Sequence, residues 1–221
     1  MRRHILLLSL IILTACSNSS DFETGEIKAI KNLRNTLLAS KTPTKILDTR
    51  SIITRKKIDD AKIPVLFMEL ENGQNGTLTL YPGQGVGETW LGADGATVTL
   101  ERGIIKATRG MRGDVMGSST SMPSWADIKD TLEYTRQVSY LSGNNQTEIK
   151  TYSCTTERDK KRSSVTIFDV DFRVQKYSEV CTHGATKLNN VYFVDNQTVV
   201  RKSIQYHGPA LGYVTIERLD R

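Results

Sequence analysis

Residues 89–108 read TWLGADGATVTLERGIIKAT, and this stretch decides the class of fold. Thr89 to Leu91 and Ala96 to Leu100 are short runs of β-formers on either side of Asp94-Gly95, a pair suited to the positive φ angles of a tight hairpin turn. After Gly103 a third run, Ile104 to Thr108, continues the series. Short strands joined by glycine turns, with no helical period between them, predict an antiparallel meander and argue against a βαβ fold.

The same punctuation extends in both directions. Upstream, Val65 to Glu69 is a first run and Thr77 to Tyr81 alternates cleanly, with Asn75-Gly76 before it as the expected hairpin turn. Downstream, Leu132 to Leu141, Thr147 to Thr155, Ser163 to Tyr177, Lys187 to Phe193, Thr198 to Tyr206 and Gly212 to Arg218 complete the series. Between them, Ser118 to Asp127, with Pro123 and Trp125, reads as a polar loop. In the longest run Phe168, Val170, Phe172 and Val174 fall on one face and Asp169, Asp171 and Arg173 on the other, so one side faces core and the other water.

Ahead of Pro64 the pattern is helical. Ser20 followed by Glu23 fits a capping box, and Ile27, Ile30, Leu33 and Leu37 recur at helical spacing, which predicts an amphipathic helix from Asp21 to Ala39. A second short helix is expected from Arg55 to Ala61, with Thr54 as its cap. The expected fold is mainly β: a large antiparallel meander curled into an open or half barrel, with the N-terminal amphipathic helix packed on it.

The first residues carry an address. Arg2, Arg3 and His4 precede an apolar stretch from Ile5 to Leu13, about half the roughly 20 residues a spanning helix needs, so residues 1–15 read as an export signal. Leu13-Thr14-Ala15-Cys16 resembles a bacterial lipobox, in which Cys16 is lipidated and becomes the first mature residue. Several acyl chains on one cysteine, at about 0.8 kcal/mol per buried methylene, hold a protein on a membrane without spanning it. Ser17, where an aspartate would retain the protein in the inner membrane, resembles an outer-membrane address, and residues 16–20 form the lipidated tether. Residues 21–221 are expected to form a single domain.

Removing residues 1–15 takes away Arg2 and Arg3 and lowers the formal charge from +6 to +4. That mild basic bias is compatible with an anionic polymer or lipid surface, and the sequence carries no nucleic-acid motif. With Cys16 assigned to lipid, Cys154 and Cys181 remain in an exported protein, and they are expected to form a disulfide contributing up to roughly 3.5 kcal/mol through loop closure. The rival reading, a thiol or metal site, is short of ligands, since only His183 lies near either cysteine.

No catalytic constellation emerges. Asp169 and Asp171 would sit roughly 6.5–7 Å apart on one strand face, a tolerable spacing for glycoside hydrolysis, but Arg173 continues that face and marks it as solvated. His183 and His207 read as turn and surface residues, and Gly83 to Gly87 is followed by a strand where a phosphate loop or dinucleotide fingerprint requires a helix. No cofactor or metal is expected. The most unusual segment runs from Trp90 to Gly117 and ends where Arg109, Arg112 and Asp114 lie close together between Gly110 and Gly113. It is either a strained corner pinned by an arginine to carbonyls, or a ligand or partner surface in which Trp90, Asp94, Arg109, Arg112, Asp114 and Trp125 would receive an anionic sugar.

Trp90, Asp94-Gly95, Gly103-Ile104-Ile105, Ala107-Thr108-Arg109-Gly110 and Asp114-Val115-Met116 together resemble the signature of the YjbF family, the group 4 capsule polysaccharide lipoproteins also called GfcB. The resemblance extends to the lipobox, the following helix, the Thr54-Arg55 helix start and the Cys154 and Cys181 pair. It implies a large antiparallel meander and a role in secretion or assembly of extracellular polysaccharide, beside an outer-membrane β-barrel protein of the same export system. It implies no catalytic residues. The expected protein is therefore a non-enzymatic lipoprotein on the periplasmic face of the outer membrane. Its rivals are a carrier of lipid or lipoprotein with an apolar cavity, and a polysaccharide-trimming glycosidase.

Overall fold

A computed structural model describes residues 48–83, 85–141 and 146–221. The lipobox cysteine Cys16 and the predicted helix over 21–39 lie outside the described residues. The second predicted helix is present as α2 (Arg55–Ala61), with the Thr54 side chain accepting from Lys57 N–H; a single turn, α1 (Thr49–Ile52), precedes it, capped by Asp48. Among the described residues thirteen strands follow: β1 (Val65–Leu70), β2 (Asn75–Tyr81), β3 (Glu88–Gly92), β4 (Thr97–Glu101), β5 (Ile104–Arg109), β6 (Val115–Thr120), β7 (Thr131–Leu141), β8 (Thr147–Arg158), β9 (Ser163–Ile167), β10 (Val170–His183), β11 (Thr186–Val194), β12 (Val200–Gly208) and β13 (Gly212–Arg218).

Every strand pairing is antiparallel, in the order β5-β4-β3-β2-β1-β13-β12-β11-β10-β8-β7-β6, with β9 attached to β10 alone. The two ends of this path, β5 and β6, are consecutive in the chain and lie side by side, so the sheet curls into a nearly closed barrel. Alternation sends Leu66, Leu78, Trp90, Val98, Val214 and Ile216 into one half of the interior. Tyr134, Arg136, Glu179, Asn190, Tyr192 and Gln205 point into the other. Outside β1 a second cluster, Val65, Phe67, Ile167 and Leu219, is covered by Ile53 and Ile58 of the helical segment.

Three boundaries differ from the expectation. The β1–β2 turn uses Asn72-Gly73: Gly73, at φ 84°, donates to Leu70 O at 2.9 Å, while Asn75 and Gly76 pair with Glu69 and Met68 inside the ladder. A turn at Asn75-Gly76 would have set β1 against the Pro-Gly segment from Tyr81 onward, leaving it without a partner strand. Val115–Thr120, read in part as loop, is a strand; as the last strand of the sheet its ladder is with β7 alone, so a Gly-Ser-Ser sequence with little apolar character suffices.

The long run 163–177 is broken at Phe168-Asp169, where both residues take positive φ (45° and 64°) and turn the chain back on itself. A phenylalanine in that conformation is costly. Its ring is held edge-on to Phe67 at 5.5 Å, with the Arg50 guanidinium 4.9 Å away, so tertiary contacts outweigh the local preference. Asp169 and Asp171 consequently do not share a strand face. Asp169 is a turn residue, and Asp171 accepts from the Thr166 hydroxyl at 2.6 Å.

Candidate functional site

Four turns meet at one mouth of the barrel: those joining β1 to β2, β3 to β4, β5 to β6 and β12 to β13. Between them lies an open cleft of about 570 Å³. Met68, Leu70, Met111 and Leu211 give it apolar walls, while Asn72, Gln74, Asp94 and Arg112 stand at an exposed rim. This is the size and mixture of a small-molecule or loop-binding concavity.

The β3–β4 turn is set by Asp94, whose Oδ1 accepts from Ala96 N–H at 3.0 Å, and by Gly95 at φ 88°. The β5–β6 corner is more elaborate. Asp114 accepts from the N–H groups of Gly110 (2.9 Å) and Met111 (3.0 Å) and from the Thr108 hydroxyl (2.9 Å). Arg109 donates to the carbonyls of Thr108 (2.5 Å), Val115 (3.1 Å) and Met116 (3.1 Å), tying the two free edges of the sheet together where no backbone ladder joins them. Gly113, at φ 69°, lies so near the β12–β13 turn that a Cβ there would come within 2.8 Å of the Ala210 methyl. Arg109 thus pins carbonyls, as one of the two readings of this segment has it, while Arg112 stands at the rim without a partner among the described residues.

The tryptophans are elsewhere. Trp90 is fully buried, with the Arg218 guanidinium 5.3 Å from its ring, and Trp125 is 1% exposed, its indole N–H donating to Arg102 O at 2.9 Å. Neither offers a ring face to a sugar, because each fills core that the alternation of β-formers left empty. Of the six residues singled out for this surface, Asp94 and Arg112 line the cleft, Arg109 and Asp114 build its corner, and Trp90 and Trp125 lie inside. Met68, Leu70, Asn72 and Leu211 were missed. Reading Asn72-Gly73 as the turn would have brought the first three to the mouth.

A second constellation occupies the barrel interior. The Glu179 carboxylate, 1% exposed, accepts from the Tyr134 hydroxyl and the Asn190 amide, from the Tyr192 hydroxyl at 3.2 Å and from Arg136 at 3.4 Å. Burial, with Glu179 adding to it, pushes both phenols above their ordinary range, so both remain donors. Arg136 also reaches Ile105 O at 3.4 Å, and Gln205 clasps the same strand by accepting from Ile105 N–H (3.0 Å) and donating to Gly103 O (2.8 Å). Beside Glu179, Cys154 and Cys181 sit opposite each other on β8 and β10 with their sulfurs bonded at 2.01 Å, the pairing expected of them. His207, expected at the surface, is 1% exposed: it points inward from β12 to within 3.1 Å of the Thr108 hydroxyl. His183 is exposed, as expected. The Glu179 network left a sequence signal, for Glu179 has the same strand parity as Cys181.

The family model described as group 4 capsule polysaccharide lipoprotein GfcB, YjbF matches residues 30–219. Among solved structures, the crystal structure of the hypothetical lipoprotein YmcC from Escherichia coli K12 resembles this chain with a TM-score of 0.65 at 18% identity, covering 81% of this chain and 98% of that one. At that identity the likeness speaks for the fold. A search of curated proteins finds no match.

Proposed function

The chain belongs to the YjbF family of group 4 capsule polysaccharide lipoproteins, and from that premise we propose that it is an outer-membrane lipoprotein, anchored through Cys16 on the periplasmic face, that supports export or assembly of extracellular polysaccharide. It does so without catalysis, by binding glycan or the β-barrel protein of the same export system. The observation that carries this reading is the cleft at the barrel mouth, whose polar rim and apolar walls suit a saccharide or a partner loop.

Two rivals are less well supported. A lipid carrier needs a hollow interior, and in the polar half of this one the space between Ile105, Arg136, Tyr140 and His207 amounts to about 10 Å³, too little for an acyl chain. A glycosidase needs its two carboxylates facing one bond, and Asp169 instead sits in a hairpin turn.

The test is a pull-down from detergent-solubilised envelopes with the lipidated protein as bait, identifying both protein and carbohydrate. Recovery of an outer-membrane barrel or of polysaccharide is expected, weakened by Asp94→Asn, which keeps the Oδ1 acceptor of the β3–β4 turn, and by Arg112→Ala, with no change in melting temperature. A deletion strain with normal surface polysaccharide overturns the reading.

A further inference from the structure

At the end of the barrel opposite the cleft, a basin of about 220 Å³ lies between the loop preceding β7, the β8–β9 loop and the β11–β12 turn. Its floor is the buried pair Trp125 and Tyr177, with ring centroids 5.1 Å apart, and its rim carries Lys129, Arg158 and Arg162. Lys160 and Lys161, both exposed, extend the positive charge along the β8–β9 loop.

The charge is not neutralised within the fold. Arg158 donates to Lys129 O at 3.1 Å, Lys129 to Ala126 O at 3.4 Å, and Arg162 to the Asn196 side chain: neutral acceptors that hold the cations in place and leave their charge unspent. Neighbouring carboxylates are engaged elsewhere. Asp195, the one carboxylate in the lining, is neutralised by Arg201 at 2.6 Å and accepts from its own turn, Asp159 pairs with Lys176 at 3.7 Å, and Asp127 caps Ser124 N–H at 3.1 Å. Asp130 and Glu157 flank the basin outside its lining. Among the described residues no carboxylate pairs with any of these five cations.

We propose that this basin binds the acid group of an anionic polysaccharide, the carboxylate of one sugar residue entering between Lys129, Arg158 and Arg162 while the next residues run along Lys160 and Lys161. The proposal rests on the polysaccharide role inferred above and names the kind of polymer. Arginine forks suit carboxylates, and three cations around a concavity recognise one acid group better than a flat patch does. An anionic membrane would supply similar charge, but it presents a plane. Among the described residues none of the exposed large apolar side chains, Tyr81, Val86, Leu141 and Ile149, belongs to the lining to enter a bilayer.

The test titrates the full detergent-solubilised chain with a galacturonic acid hexamer, with maltohexaose as the neutral control and with vesicles with and without phosphatidylglycerol. The acidic hexamer should bind, weaken with added salt and lose about tenfold or more in affinity in the Arg158→Gln/Arg162→Gln double variant. Lys129→Gln, at an exposed side chain that leaves the fold untouched, should cost about threefold, and Lys187→Gln, exposed and outside the linings of both the basin and the cleft, should cost nothing. Hexamer binding that is absent from the native chain, equal for maltohexaose or unchanged in the double variant overturns the proposal, as does binding to anionic vesicles alone. Hexamer binding through these arginines in a protein whose deletion leaves surface polysaccharide normal would instead retire the export role and keep the site.

Discussion

The two halves of the barrel interior are built on different physics. From β13 through β1 to β5 it is filled by Leu66, Leu78, Trp90, Val98, Val214 and Ile216, whose contacts are non-directional. From β7 to β12 the apolar cluster continues through Val138, Leu188 and Val194, but it surrounds Glu179, Arg136, Asn190, Gln205 and two tyrosines, whose contacts are directional hydrogen bonds around a buried carboxylate. An apolar wall absorbs a change of shape locally. A polar network has no such slack, because each group's burial is offset only while its partner is present. The polar half is also where the sheet must close: Arg136 and Gln205 reach across to β5, the strand at the open edge.

The largest effect should therefore come from breaking that network on one side. Glu179→Leu strands the Arg136 charge and the Tyr134 and Tyr192 donors, and should cost about 3–5 kcal/mol in urea unfolding. The sharper measurement is the Arg136→Met/Glu179→Leu double variant, which should lose clearly less than the sum of the two single losses. Additive losses would mean that the two halves do not differ in kind. In the apolar half Leu78→Ala should cost about 3 kcal/mol and add to a distant core truncation such as Val214→Ala. Coupling there beyond about 0.5 kcal/mol would contradict the contrast.

Next in size is the disulfide, which lies in the polar half. Its ring closes 27 residues, so the Cys154→Ala/Cys181→Ala pair should lose about 2–3 kcal/mol, mostly through a less restricted unfolded chain. Loss of less than about 1 kcal/mol would show that the β8–β10 ladder alone holds these strands.

The same contrast governs what could be read from sequence. Hairpins at Asp94-Gly95 and at Gly103, the cap at Thr54 and the alternation of the apolar strands are local signals, and they locate β3 to β5, α2 and most strand boundaries. What was hidden depends on partners far along the chain. Phe168 takes a left-handed turn because Phe67 and Arg50 receive its ring. Strand β6 is a strand because β7 offers it a ladder. Trp90 and Trp125 suit a stacking platform by sequence, because neither a tryptophan on a short strand nor one in a polar loop shows there which way its ring points. At the mouth, the residues that line the cleft come from four turns distant in sequence, and Asp94 and Arg112 were legible because they sit within the unusual segment itself.

The smallest predicted effect tests the seam between the halves. Thr108 Oγ1 accepts from Val115 N–H and gives its single proton to Asp114 Oδ1, so the 3.1 Å contact with His207 Nε2 requires that nitrogen to be the donor. His207 Nδ1 is then the bare nitrogen, buried and without a partner among the described residues. Protonating it would bury a charge with no acceptor, and burial accordingly lowers the His207 pKa below its ordinary value, the Asp114 charge only partly opposing it. An unfolded chain takes up a proton at about pH 6.5. Between that pH and the lower folded pKa the unfolded state holds more protons, so stability is full above about pH 6.5 and falls as the pH drops below it. His207→Gln keeps an N–H donor for Thr108 but cannot titrate. Its urea midpoint should fall less than that of the native chain between pH 7.5 and pH 5, even if it starts about 1 kcal/mol lower. Parallel curves for the two proteins would place the acid sensitivity in the carboxylates and leave the seam with no titratable element.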